Sequence, residues 1–227
     1  LVFSQTPVGF QPASGMSGTN FGAKVDIKNY DIAVASKPQP FYPPGMRSSK
    51  VYTFTFWNGT VTPTGIAFPN DALESDSFGY SISLGNDVFA VGSPLNDESA
   101  NNAGAVYIYQ KTTNAEWVLY QKLLPDDDIP YFGANVKMYG DFLFVSANAD
   151  IDLGQGNLTT NAPIKVYKNE GGQWQLFQTI PVIANAFGAK MEIDNDVLVV
   201  AQIDQNTTHT VFHRIVLQDN GQWRSEE

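Results

Sequence analysis

Phe78-Gly-Tyr-Ser-Ile-Ser-Leu-Gly-Asn-Asp-Val-Phe-Ala-Val-Gly-Ser-Pro94 is the stretch on which the fold turns. Ile82 and Leu84 stand two apart, the spacing of a strand with one buried face. Gly85-Asn86 then supplies residue types that tolerate positive φ in a two-residue hairpin turn. Asp87 leads into Val88-Phe-Ala-Val91, a continuous apolar run that suits an interior strand covered on both faces.

The same grammar recurs through the chain. Phe-Gly pairs stand at Phe21-Gly22, Phe78-Gly79, Phe132-Gly133 and Phe187-Gly188. Each is followed by an alternating pair: Val25 and Ile27, Ile82 and Leu84, Val136 and Met138, Met191 and Ile193. A turn comes next, then an Asp opening an apolar run, at Asp31, Asp87, Asp141 and Asp196. A third strand is predicted at Val51-Tyr52, Val106-Tyr107, Val166-Tyr167 and Val211-Phe212, and a second turn leads to Trp57, Trp117, Trp174 and Trp223. Four short antiparallel strands in a unit of about 55 residues, repeated radially, are the signature of a propeller blade. The expected fold is an all-β propeller domain over 1–227, with blade units at 20–76, 77–130, 131–185 and 186–227. Leu1-Val-Phe-Ser-Gln-Thr-Pro7 overlays Gln175-Leu-Phe-Gln-Thr-Ile-Pro181, so residues 1–8 are expected to complete the last blade and close a ring of four. The alternative is an excerpt of a larger propeller. The start at Leu1, with no initiator Met or leader pattern, reads as a processed or excised piece.

The units resemble FG-GAP repeats, the blades of integrin α-subunit propellers. Phe78-Gly79 is similar to the family's FG, Gly92-Ser93-Pro94 to its GAP, and Gly104-Ala-Val-Tyr-Ile-Tyr109 to its third strand. The other units keep the FG and drift at the GAP, to Ala35-Ser36-Lys37, Ser146-Ala147-Asn148 and Ala201-Gln202-Ile203. The resemblance implies the propeller, seven-bladed as the family usually shows, and an extracellular setting. The family's calcium loop between the first two strands has no counterpart, because only a tight turn lies there. The repeated aspartates read as turn carboxylates that accept backbone N–H bonds.

Composition narrows the function. The 227 residues carry 13 Lys and Arg against 23 Asp and Glu, a net charge of −10, which argues against a phosphate-backbone partner. With no cysteine, disulfide, thiolate and Cys-zinc chemistry are excluded. The longest apolar runs fall far short of a membrane helix, and His209 and His213 are the two imidazoles available for neutral-pH chemistry.

Several residues carry site expectations. Asn148, Asp150 and Asp152 alternate ahead of Gly154 in the manner of a calcium loop; the competing reading is a solvated polar loop. Asp126-Asp127-Asp128 sits between blades, where paired carboxylates could do acid–base work or simply be solvated. Acceptor sequons at Asn58, Asn157 and Asn206 all fall between predicted strands and point to a secreted glycoprotein. Phe41 and Tyr42, in the loop from Pro38 to Ser49, are expected partner anchors, and the loops 95–103 and 149–162 join them as recognition candidates. The expected function is a non-catalytic extracellular module for protein interaction, adhesion or self-assembly, without a required cofactor. The alternative is a carbohydrate-binding or carbohydrate-processing propeller built on the Asp126–Asp128 region.

Overall fold

The computed structural model describes residues 19–38, 49–147, 162–183, 187–203 and 210–226. They form sixteen strands in four sheets, each antiparallel and each in chain order. The first sheet holds β1 (Thr19–Lys28), β2 (Asp31–Pro38), β3 (Val51–Trp57) and β4 (Thr60–Ala67). The second holds β5 (Ser81–Leu84), β6 (Val88–Ser93), β7 (Ala105–Lys111) and β8 (Trp117–Leu123). The third holds β9 (Asn135–Tyr139), β10 (Phe142–Ser146), β11 (Ile164–Glu170) and β12 (Gln173–Ile180). The fourth holds β13 (Phe187–Asp194), β14 (Val197–Ile203), β15 (Thr210–Leu217) and β16 (Trp223–Glu226). Among the described residues the helical content is one 3-10 turn, Glu74–Asp76, and no helix is long and apolar enough to cross a membrane. These are the expected propeller-type blades.

Consecutive sheets pack face to face, and alternation along each strand decides which residues go to which interface. Ala33, Ala35 and Val51 of the first sheet meet Ile82, Leu84 and Phe89 of the second. Ala90, Val106 and Ile108 of the second meet Val136, Leu143 and Trp174 of the third. Phe144, Ile164 and Val166 of the third meet Met191, Leu198 and Trp223 of the fourth. Strands β6 and β10 send alternate residues into different cores, which is why their sequences are apolar throughout.

The Phe-Gly pair sets the spacing. Gly22, Gly79, Gly133 and Gly188 adopt φ of 89°, 85°, 87° and 87°, a left-handed conformation that a side chain resists. In β1 and β13 the pair lies at a bulge, where the register skips from Phe21 to Lys24 and from Phe187 to Lys190. Each interior Phe-Gly glycine rests on a small residue of the preceding sheet's second strand. A Cβ on Gly79 would stand 3.3 Å from Ala35 Cβ, and one on Gly188 would stand 3.0 Å from Ser146 Cβ. Gly92 lies closest of all, since a Cβ there would stand 1.9 Å from the Gly133 carbonyl oxygen. Ser81 Oγ donates to that same carbonyl at 2.8 Å, and Ser146 Oγ donates to the Gly188 carbonyl at 2.7 Å.

The outer strands are tied by glutamines. Gln121 on β8 donates to the Trp174 carbonyl at 2.9 Å and accepts the Trp174 N–H at 2.9 Å. Gln178 on β12 repeats this on Trp223, at 2.6 and 2.9 Å. Trp117, Trp174 and Trp223 all begin or nearly begin a fourth strand, pairing with Lys111, Asn169 and Leu217. Trp57 does not share their place. It ends β3, and Val61 holds the corresponding position opposite Phe56.

Two further expectations are revised. The hairpin turns are Asn29-Tyr30, Asn86-Asp87, Gly140-Asp141 and Asn195-Asp196, one residue later than the sequence suggested in the last three sheets. Asp31 is therefore a strand residue, and Tyr30 takes the turn position that Asp87, Asp141 and Asp196 occupy elsewhere. At that position the backbone carbonyl, not the carboxylate, accepts the recurring bond: Tyr30, Asp87, Asp141 and Asp196 receive the amides of Phe56, Lys111, Asn169 and Leu217. In the fourth sheet, β16 pairs with Arg214–Leu217 as the fourth strand; the expected contribution of residues 1–8 to this sheet falls on residues that are not described. Residues 1–18 lie outside the described residues.

Gly133→Ala adds both backbone strain and a contact 2.6 Å from the Ala105 carbonyl oxygen, whereas Gly22→Ala adds strain alone, with nothing within 4 Å. Urea unfolding is expected to show Gly133→Ala less stable than Gly22→Ala by roughly 1–3 kcal/mol, the usual cost of overpacking. Gln178→Ala, which strips the Trp223 amide and carbonyl of their partners, is expected to cost a similar amount of about 1–3 kcal/mol.

Candidate functional site

The loop from Leu95 to Ala103 and the connector from Leu124 to Tyr131 converge at one end of the second sheet. Pro94 and the small residues Gly92 and Ser93 end β6 and let the chain turn across the sheet edge. Asn96 anchors the loop from inside: it is buried, its Nδ2 donates to Asp76 Oδ2 at 2.8 Å, and its Oδ1 accepts the Glu98 N–H at 3.2 Å. Asp97 Oδ1 accepts the Asn102 N–H at 2.7 Å, and Ser93 Oγ donates to the Asp76 carbonyl at 2.9 Å. The loop is thus fastened at its base while residues 97–101 face solvent.

The connector is bound to the loop directly. The amides of Tyr131 and Phe132 donate to the carbonyls of Asn102 and Ala103 at 2.8 and 2.9 Å, and Gly104 bridges Phe132 in parallel. Between loop and connector lies a cleft of about 310 Å³, lined by Ser99, Ala100 and Asn101 on one side and Asp126, Asp127 and Asp128 on the other. Two regions that the sequence marked separately, the 95–103 loop and the aspartate run, are therefore two walls of one cleft.

Lys165 determines what those aspartates can do. It is buried on β11, and its Nζ donates to Asp126 and stands 2.7 Å from Asp127 Oδ2. The Lys165 hydrogen bond holds the Asp126 carboxyl below the ordinary carboxylate value, with burial opposing it. Asp127 Oδ1 also accepts the Ile129 N–H at 3.2 Å. Both Asp126 and Asp127 fasten the connector onto the third sheet through Lys165, and the Asp126 carboxyl is held as an anion by that bond. The preceding connector is held in the same way, by Lys122 bonded to Asp71 at 2.6 Å and to Glu98, with its ammonium 4.8 Å from the Tyr107 ring centre. Between sheets, Lys111 pairs with Asp31 at 2.7 and 2.8 Å, and Lys137 with Glu192 at 2.9 Å.

Neither lysine clamp was visible in sequence, because Lys165 sits in an apolar strand and pairs with residues 39 and 38 positions away. Strand register shows why it was passed over: Lys165, not Tyr167, occupies the place of Tyr107, while Tyr167 matches Tyr109. The glutamine ties had a visible signal, the spacing Trp117 to Gln121 repeated as Trp174 to Gln178.

At the opposite end of the sheets, a polar cleft of about 160 Å³ brings together Asp87 and Asp141 from adjacent hairpin turns, with Gln110, Tyr120 and Asn169 around them. His213 Nε2 lies 2.9 Å from Gln202 Oε1, and its ring packs edge-on against Phe187 at 5.5 Å, so it is a bonded strand residue. Asn58 is exposed in the turn that follows Trp57. The expected sites at Phe41, Tyr42, Asn148, Asp150, Asp152, Asn157 and Asn206, together with His209, lie outside the described residues. Among the described residues no group of three or more His, Cys, Asp or Glu is arranged to hold a metal ion.

Comparison with known proteins bears on the second unit. Residues 64–109 match the family model for the FG-GAP repeat, from the second half of β4 through the first connector and into the third strand of the second sheet. No curated protein matches the sequence. Among solved structures, the GH43 endo-arabinanase from Bacillus licheniformis is similar at 11% identity and a TM-score of 0.45, covering 88% of this chain and 74% of that one.

Asp126 has its folded-state pKa lowered, so its ion pair stabilises the fold above the ordinary value of 3.8 and loses that contribution as pH falls below it. Lys165→Met should be less stable than the native chain at pH 7. The gap is expected to narrow in acid, measured by urea unfolding at both pH values.

Proposed function

We propose that this chain is a non-catalytic extracellular module of FG-GAP propeller type that binds a protein partner through the loops at one end of its sheets. The observation that carries this reading is the cleft between the 95–103 loop and the 124–131 connector. Its walls are fixed to each other by backbone bonds before any partner arrives, so little conformational entropy is lost on binding. Rigid scaffolds that present exposed loops in this way are suited to recognition.

The chemistry of the cleft favours a partner segment with basic residues. Three aspartates line one wall and Asp97 and Glu98 stand on the neighbouring loop, with Lys165 and Lys122 offsetting two of these five charges. A net charge of −10 adds long-range attraction for cations. The extracellular setting is supported by a cysteine-free, weakly charged, Asn- and Thr-rich sequence and by the exposed sequon at Asn58. The same features suit adhesion or self-assembly as the biological outcome.

Cross-linking to surface proteins from the native source, mapped by mass spectrometry, is expected to place partner lysines at Asp126, Asp128 and Glu98. Asp128→Asn combined with Ser99→Trp should abolish those links without changing the melting temperature. Saturable glycan binding that the same pair of substitutions removes, or turnover of a sugar substrate, would replace this reading with the carbohydrate one. Expressed through a eukaryotic secretory route, the chain should lose mass on treatment with peptide N-glycosidase, and Asn58→Gln should remove one glycan from the intact mass.

A further inference from the structure

The two outward faces of the row of sheets are the two halves of an interface that the chain builds three times within itself. Hairpin register makes the comparison position by position. Ile27 pairs with Ile32 as Leu84 pairs with Phe89, Met138 with Leu143 and Ile193 with Leu198. On the other side, Phe212 pairs with Ala201 as Val51 pairs with Ala35, Val106 with Gly92 and Ile164 with Ser146.

Equivalent positions have opposite exposures at the ends of the row. Val25 and Ile27 on the first sheet are 61% and 58% exposed, where Ile82 and Leu84 are 7% and 4%, and Val136 and Met138 are 3% and 7%. Phe212 on the fourth sheet is 68% exposed, where Val51, Val106 and Ile164 are all 0%. Gly22 repeats the pattern. It has the same φ as Gly79, Gly133 and Gly188, yet a Cβ placed on it would meet nothing within 4 Å.

The aromatic packing of the first sheet repeats that of the second. Phe21 lies over Tyr52 at 5.5 Å and Phe54 at 6.4 Å, as Phe78 lies over Tyr107 at 5.3 Å and Tyr109 at 6.4 Å inside the first interface. The three internal interfaces differ at one polar position: Asp26 and Ser83 accept the amides of Leu84 at 2.7 Å and Met138 at 3.1 Å across theirs, whereas Lys137, at the same place in the third sheet, bonds Glu192 of the fourth at 2.9 Å.

We propose that copies of this chain associate head to tail, with the fourth sheet's outward face of one copy seated on the first sheet's outward face of the next. A second copy is the occupant because it necessarily presents the complementary half of the interface: Gly22, Val25 and Ile27 against Val199, Ala201 and Phe212. Such a contact is heterologous, so it either closes into a ring or continues as a filament. Two copies would contribute eight sheets, within the usual range of four to about eight propeller blades. The inference is independent of the loop reading above. It uses other residues, so loop substitutions that abolish partner binding leave it intact.

Light scattering on the eluting 227-residue chain, over a roughly hundredfold range of concentration, reads the outcome as mass. The mass is expected to rise with concentration from the 24.9 kDa protomer to at least twice that value. Val25→Asp and Phe212→Asp should each hold the chain at protomer mass, with circular dichroism and melting temperature unchanged because both side chains face solvent. An equal mixture of the two variants should recover a dimer and stop there, since each retains the face that the other lacks. A protomer mass at every concentration overturns the proposal. So does an oligomer that survives either substitution, or a mixture that stays monomeric.

Discussion

A glycine in the left-handed region, set down on a small residue of the sheet before it, is the contact from which the rest of this structure follows. Gly79 on Ala35, Gly133 beside Gly92 and Gly188 on Ser146 let neighbouring sheets approach to backbone distance at their inner strands. A side chain at any of these glycines would meet strain and steric overlap together. Close approach brings the flanking apolar residues within van der Waals range, and the alternation of each strand then distributes them between two cores. The hydroxyls of Ser81 and Ser146 use the same proximity to bond the carbonyls of the facing glycines.

Away from the inner strands, spacing gives way to polar fastening. The outer strands are tied by Gln121 and Gln178 to the backbone of the tryptophans that follow. The connectors are tied by Lys122 and Lys165 to carboxylates on the segments that precede their own sheets. These ions are partly shielded and hydrogen-bonded, a setting in which removing one partner costs more than the pair contributes. The consequence for function is direct. Asp126 and Asp127 are drawn onto Lys165 of the third sheet, and the cleft beside them gains a fixed wall.

Repetition made much of the fold legible. Four Phe-Gly pairs with alternating residues behind them define four sheets, because a blade needs a bulge glycine, one half-buried strand and one fully buried strand in that order. The turns were misplaced by one residue because Asn86-Asp87, Gly140-Asp141 and Asn195-Asp196 resemble their neighbours in turn preference. Trp57 was aligned with Trp117, Trp174 and Trp223 because it stands beside a turn, but pairing places it on the opposite side of that turn. The cleft was legible only as two separate candidates. Nothing in the local sequence says that Asn102 and Ala103 bond to Tyr131 and Phe132.

By itself the sequence determined the number of sheets, their strand order, the acidity of the surface and the absence of thiol chemistry. These properties are local or additive, written in residue type and period. The tertiary structure alone decided which charges neutralise one another, which loops share a cleft and which apolar residues stay exposed. Those outcomes depend on pairings between residues 24 to 80 positions apart, and on whether a position lies at an interior or an outward face of the row. Phe212 and Ile164 are apolar residues at the same place in the repeat, and only the sheet beside each one makes the difference between exposure and burial.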